Sequence, residues 1–120
     1  MSGTGLVHYD GWSGNVCFTE RGAVLVDWAL ARRGNPSLDV AFALLSLLAE
    51  GGARPAAVEL DDEPAWAAYI SGSFAARAPL PLPDWAEPGS TLQEDLRGDL
   101  VHALRWVAET LDLPAPDSDE

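Results

Sequence analysis

The sequence predicts a small α+β fold that is mainly helical, with a β-hairpin near the N-terminus followed by about three helices. Two short β-prone runs flank a Gly-containing turn, and three later segments have helical apolar patterns. With 120 residues, 48% of them hydrophobic, the chain can bury a core. We therefore predict a single domain over residues 1–120. It consists of a loop and hairpin over residues 1–28, a helical part over residues 38–112 and a flexible acidic tail over residues 113–120.

The predicted hairpin is formed by Val16–Phe18 and Ala23–Val26, with Glu20-Arg21-Gly22 between them. Turn chemistry leaves two registers open. In the first, Gly22 takes the left-handed position of a three-residue loop and Thr19 pairs with Ala23. In the second, only Arg21 and Gly22 form the loop.

Three polar side chains meet near the open end of this hairpin. Asp27 faces Asn15 in the first register and Val16 in the second, so both registers bring the Asn15 amide and the Asp27 carboxylate together. Asp10 lies one short loop away. Magnesium prefers oxygen ligands and completes its shell with phosphate and water, while a further acidic group can orient a hydroxyl for attack on phosphorus. The pattern predicts Asn15 and Asp27 as Mg²⁺ ligands and Asp10 as a catalytic residue.

The first predicted helix spans Leu38–Ala49 and is apolar on nearly every side, which is typical of a helix buried in the middle of a bundle. Ser37 is expected to cap it, and Gly51-Gly52 to end it. Asp39 is the exception on this helix and needs a partner, because an unpaired buried carboxylate is costly.

The remaining two helices follow a linker that ends in acidic residues. Pro64–Ala78 carries an amphipathic stripe. The last helix is expected to be capped by Ser90 or Thr91, with Glu94 as the capping-box partner of Thr91, and to stop at Leu113-Pro114. Four side chains are expected in the core: Cys17, Trp28, Trp66 and Trp106.

The spacing His8-x-Asp10-x4-Asn15, followed by Val26-Asp27-Trp28, resembles the catalytic loop and metal-binding segment of the aminoglycoside phosphotransferase family. That family shares the protein-kinase-like fold with choline kinases and homoserine kinases. The segment from Trp12 to Val16 is similar to the WPGNV found in many members, with Ser13 where Pro is common.

The likeness continues after the hairpin. The segment from Ala31 to Ala41 resembles the family's GDPxxDVA segment, and Tyr9 stands where Gly is usual. The resemblance implies a protein-kinase-like C-terminal lobe with Asp10 as catalytic residue and Asn15 and Asp27 as metal ligands. It implies structural support from His8 and Asp39.

The implied activity is Mg²⁺-dependent transfer of phosphate from ATP, or another nucleoside triphosphate, to a hydroxyl of an aminoglycoside-like or other small acceptor. Family members place an ATP-binding lobe before this motif. Here the motif begins near residue 8 and the chain has no lysine. The expectation is a C-terminal lobe with its N-terminal ATP lobe absent and no cofactor-binding residue of its own, inactive as an isolated chain. The alternative is a non-catalytic truncated remnant or binding module that retains the fold.

The net charge of −12 and the pI near 4.2 argue against binding to nucleic acid or to an anionic membrane surface. The acidity favours solubility, and it also suits a cationic small-molecule acceptor. One cysteine and an N-terminus without a basic or apolar segment indicate a cytoplasmic location. The expected protein partners are a separate ATP lobe or a second copy of the chain.

Overall fold

The computed structural model describes residues 2–55 and 57–116. Over this part of the chain it is a small α+β structure with two antiparallel two-stranded sheets and three helices. A 3₁₀ turn lies before the second strand. The elements are β1 (Gly5–Val7), the 3₁₀ turn (Ser13–Asn15), β2 (Val16–Thr19), β3 (Gly22–Leu25), β4 (Arg32–Gly34), α1 (Ser37–Ala49), α2 (Glu63–Arg77) and α3 (Leu92–Thr110).

The chain forms two compact units that divide between Asp61 and Asp62. The first unit contains the four strands and α1, and the second contains α2 and α3. The single domain over residues 1–120 stays a prediction. Residues 117–120 of the expected acidic tail lie outside the described residues.

In the first sheet, β1 pairs with β4 in the antiparallel sense, with Gly5 opposite Gly34 and Val7 opposite Arg32. No strand was predicted between the hairpin and the first helix, so β4 was missed. The sequence Arg32-Arg33-Gly34 carries no strand pattern. It forms a strand because it pairs with β1, a segment far away along the chain and not a local neighbour.

In the second sheet, β2 pairs with β3, and both predicted registers were wrong. Thr19 lies opposite Gly22, and Val16 lies opposite Leu25. The Thr19 hydroxyl accepts a hydrogen bond from the Arg21 N–H (3.1 Å) and donates one to the Gly22 carbonyl (3.1 Å), which closes the loop over two residues. Gly22 has a φ of 111°, which other residues rarely adopt.

The β2–β3 hairpin is largely exposed on both faces. Cys17 is exposed, and Trp28 just beyond the hairpin is 46% exposed, so the prediction that both lie in the core was wrong. A continuous apolar run does not show which face of an isolated hairpin is covered.

Helix α1 starts at Ser37, and the prediction that Ser37 caps it was wrong. The residue before the helix is Pro36, and the Asn35 side-chain oxygen accepts a hydrogen bond from the Ser37 N–H at 3.0 Å. The predicted stop is confirmed, since the helix ends at Ala49. The prediction that this helix is buried on every side was also wrong, because Val40 is 38% exposed.

In the second unit, α2 packs against α3. The Trp106 indole is buried and donates a hydrogen bond to Glu63 Oε1 at 2.7 Å, which satisfies its one polar atom. Trp66 is buried as predicted. Other buried residues of this unit are Ala67, Ile70, Phe74, Ala103 and Ala108.

The start of α3 differs from the predicted capping box. The Ser90 hydroxyl accepts a hydrogen bond from the Leu92 N–H at 3.2 Å, while Thr91 donates to Asp95 at 2.7 Å and not to Glu94. Among the described residues, no helix is both long and apolar enough to cross a membrane.

Candidate active site

Asp39, in the first turn of α1, holds the backbone of the loop that precedes Asp10. Its Oδ2 accepts a hydrogen bond from the His8 N–H at 2.7 Å, and its Oδ1 accepts one from the Tyr9 N–H at 3.0 Å. Hydrogen bonds to an ionised acceptor are stronger than those between neutral groups. The carboxylate therefore fixes two successive peptide groups beside α1.

His8 is fully buried and connects the same loop to the end of β3. Its Nε2 lies 2.8 Å from the Val26 carbonyl oxygen, and its Nδ1 lies 3.2 Å from the Asp10 backbone nitrogen. A carbonyl can only accept and an N–H can only donate, so the partners require the neutral tautomer with the proton on Nε2. The Trp28 ring meets the imidazole edge-on, with ring centroids 4.6 Å apart.

Asp10 and Asn15 are in direct contact. The Asn15 side-chain nitrogen donates hydrogen bonds to the Asp10 carbonyl at 2.8 Å and to the Asp10 Oδ2 at 3.0 Å. Both partners are acceptors, so the amide nitrogen must face Asp10 and the amide oxygen lies on the other side. Asn15 is only 7% exposed, which holds this arrangement in place.

Asp27 is held by its neighbours and not by its own side chain. The Val26 N–H donates to the Asn15 carbonyl at 2.9 Å, which continues the hairpin pairing up to the residue before Asp27. Asp27 itself is exposed and has a φ of 59°, in the left-handed region. In the part of the chain that the structure describes, its carboxylate has no hydrogen-bond partner.

The structure thus joins Asp10 directly to Asn15 and places Asp27 next to a residue that pairs with Asn15. Over residues 2–55 and 57–116, no three His, Cys, Asp or Glu side chains could together hold a metal ion.

The loop between Asp10 and Asn15 packs on itself and on α1. A side chain at Gly14 would collide with the Trp12 indole, which covers the glycine. The Ser13 N–H donates to the Ser46 hydroxyl oxygen at 3.0 Å, and the Ser13 hydroxyl donates to the Glu50 carboxylate. The sequence analysis missed Ser46 and Glu50.

Tyr9 has an unfavourable backbone conformation for its residue type. Its φ is 70°, although a non-glycine residue rarely adopts a left-handed conformation. The Arg32 guanidinium stacks on its ring at 3.8 Å from the centroid. The position where Gly is usual in the resembling family therefore has glycine-like geometry in this chain as well.

A comparison with protein-family models matches residues 2–70 to APH, the phosphotransferase enzyme family. The match covers more than half of the 120 residues, so the chain belongs to this family. The membership confirms the resemblance and indicates a phosphotransferase-type function. The matched segment contains the five candidate site residues His8, Asp10, Asn15, Asp27 and Asp39. Comparisons with curated proteins and with solved structures gave no match.

Proposed function

We propose that this chain is the metal- and acceptor-binding part, a protein-kinase-like C-terminal lobe, of a small-molecule phosphotransferase. The observation that carries the proposal is the contact between Asn15 and Asp10 at the open end of the hairpin that leads to Asp27. This arrangement puts one fixed carboxylate, one fixed amide and one exposed carboxylate at a single end of the first unit.

The oxygen atoms available in this cluster suit a hard divalent cation. The Asn15 nitrogen is committed to Asp10, which leaves its amide oxygen for a ligand, and the Asp27 carboxylate is exposed. We assign Asn15 and Asp27 as the residues that would hold Mg²⁺ together with ATP or another nucleoside triphosphate. Bound there, Mg²⁺ would neutralise charge on the phosphate oxygens.

Asp10 is assigned as the group that receives the proton of the acceptor hydroxyl. Its Oδ2 accepts from Asn15, which leaves Oδ1 to accept a hydrogen bond from the acceptor. The hydroxyl oxygen forms a bond to the γ-phosphorus, the bond from that phosphorus to the β–γ bridging oxygen breaks, and the nucleoside diphosphate leaves. The hydroxyl proton passes to Asp10.

His8 is assigned a supporting role, not that of a base. Both ring nitrogens are engaged, one with Val26 and the other with the Asp10 backbone. Neither ring nitrogen is left to receive the proton of an acceptor hydroxyl. His8 and Asp39 together fix the backbone that carries Asp10.

The acceptor is proposed to be a small cationic alcohol, such as an aminoglycoside-like compound. The net charge of −12 favours the approach of a cation. Trp12 is 53% exposed next to Asp10 and could cover an amine or a ring of such a compound. We place the reaction in the cytoplasm, where nucleoside triphosphate is available.

The test is phosphate transfer from γ-labelled ATP to a panel of aminoglycosides and other small alcohols. The full chain is assayed alone and together with the polypeptide encoded directly upstream. Asp10→Asn should lower transfer by about 10²- to 10⁴-fold, the usual contribution of a positioned proton acceptor. Asp84→Asn, at an exposed loop position, is the matched control. Magnesium-independent transfer, or none under any pairing, would overturn the proposal.

A second candidate is a non-catalytic binding module. It is favoured by the exposed apolar hairpin, where Phe18 is 86% exposed and Val24 is 44% exposed. Large exposed apolar surfaces mark interaction sites. The partner would be a separate ATP-binding lobe or a second copy. Sedimentation should show concentration-dependent association that Phe18→Ser abolishes, whereas a monomer at every concentration would exclude self-association.

A further inference from the structure

Helix α1 and the residue that follows it, Glu50, present a line of polar side chains to the loop that carries Asp10. Asp39, Ser46 and Glu50 follow each other at intervals of seven and four residues, about two turns and one turn of helix, so they share one face. Asp39 holds the two backbone N–H groups before Asp10. Ser46 and Glu50 hold Ser13, which follows Asp10. The helix therefore fixes the loop on both sides of the proposed catalytic residue.

The second of these anchors depends on Ser13. Both of its hydrogen bonds use groups that a proline would lack, namely the backbone N–H to Ser46 and the hydroxyl to Glu50. Proline at this position would instead stiffen the loop through its own ring. Gly11, two residues earlier, adds no stiffness. The contacts with α1 supply the constraint that the loop sequence lacks.

We propose that Ser46 and Glu50 are positioning residues that hold Ser13 so that the Asp10 carboxylate stays on the Asn15 amide. The loop from Asp10 to Asn15, which contains Ser13, is short. Within it the Asp10 carbonyl accepts from both the Trp12 N–H at 3.0 Å and the Asn15 side chain at 2.8 Å. Movement of Ser13 would therefore loosen the Asp10–Asn15 contact. The consequence for catalysis rests on the proposed function, but the geometric claim does not.

The experiment measures hydrogen exchange of the Asn15 side-chain amide by NMR in the full chain. Ser46→Ala and Glu50→Ala should each speed exchange by about two- to tenfold, the change expected when one hydrogen bond is lost. Glu50→Gln keeps an acceptor for the Ser13 hydroxyl and should restore slow exchange. Glu20→Ala, at the exposed hairpin tip, is the matched control and should leave exchange unchanged.

A second arm distinguishes positioning from a general loss of structure. Ser13→Pro added to Glu50→Ala should restore slow exchange, because the proline ring replaces the lost anchor. The Trp28 indole N–H, which donates to the Leu25 carbonyl at 2.9 Å, serves in every variant as a reporter that the first unit is folded. Unchanged Asn15 exchange in both alanine variants would overturn the proposal, and so would faster exchange that neither Glu50→Gln nor the added proline reverses.

Failure of the proposed function gives a different result. In that case the alanine variants still speed Asn15 exchange, but wild-type protein transfers no phosphate under any pairing. If both proposals hold, the two alanine variants also lower kcat, because both loosen the contact that orients Asp10 and Asn15, and Glu50→Gln restores kcat.

Discussion

The two aspartates of the proposed site are held in opposite ways. Asp10 is half-buried, its carboxylate accepts from Asn15, and the backbone around it is fixed by His8 and Asp39. Asp27 is exposed in a left-handed conformation, and in the described part of the chain its carboxylate has no hydrogen-bond partner. The protein therefore organises Asp10, the proposed proton acceptor, before any ligand arrives, whereas Asp27, a proposed metal ligand, would be organised by the cation itself.

Asp39→Ala should have the largest effect on stability, because Asp39 fixes the backbone that leads to Asp10. The substitution leaves the His8 and Tyr9 N–H groups without their acceptor. Unsatisfied donors of this kind should lower the free energy of unfolding by about 3 kcal/mol. Urea denaturation measures this, with Asp84→Ala as the control. An Asp39→Ala protein as stable as wild type would show that the loop does not depend on α1.

His8→Phe should have the next largest effect. Phenylalanine keeps a ring next to Trp28 but loses both hydrogen bonds of His8, to Val26 and to the Asp10 N–H. We expect a loss of about 2 kcal/mol in the free energy of unfolding, because the Val26 carbonyl and the Asp10 N–H lose their partners on the imidazole. Thermal denaturation tests this, and a variant more stable than wild type would contradict the linking role of His8.

Asp27→Gly should change stability and metal binding in opposite directions. Glycine adopts a φ of 59° without strain, and the side chain that it replaces makes no hydrogen bond within the described residues. Stability should rise by about 1 kcal/mol. Mg²⁺ affinity, measured by calorimetry in the presence of ATP, should fall. A destabilised variant would mean that the Asp27 side chain supports the fold.

The smallest effect is expected for a carboxylate outside the site. Burial, together with nearby Asp95, raises the pKa of Asp99 above its ordinary value, while His102 and Arg77 oppose the rise. A raised pKa in the folded state favours the protonated form, so its contribution to stability is present in acid and is lost as the pH rises through that pKa.

Asp99→Asn stays uncharged at every pH. It should match wild type in strongly acidic solution and become more stable than wild type as the pH rises to neutral. The gain should be about 0.5 kcal/mol, the usual size for a partly exposed position. Thermal unfolding at a series of pH values checks it. A gain that is the same at acid and neutral pH would contradict the assignment to ionisation.

Features that depend on neighbouring residues, including the surroundings of Asp10, were predicted well from the sequence. The end of α1 at Ala49 follows from Gly51-Gly52, and the short spacing from Asp10 to Asn15 already indicated that the two lie close together. The hairpin register was missed because it depends on the Thr19 side chain bonding the turn backbone, a contact that the turn composition does not encode.

Contacts between distant segments could not be predicted. The pairing of β1 with β4 joins parts of the chain that share no pattern. Ser46 and Glu50 look like ordinary helix residues until the fold brings Ser13 against them. Their spacing from Asp39, seven residues and then four, puts the three on one face, but a shared face does not show which segment packs against it.

The most direct test of the account is the site of metal binding. Mn²⁺ added with ATP to the ¹⁵N-labelled full chain broadens the NMR signals of nearby groups. If Asn15 and Asp27 hold the cation, the Asn15 side-chain amide and the Asp27 backbone amide broaden first, and Asp27→Gly removes the effect. Broadening confined to the acidic residues 59–63, with Asn15 unaffected, would contradict it.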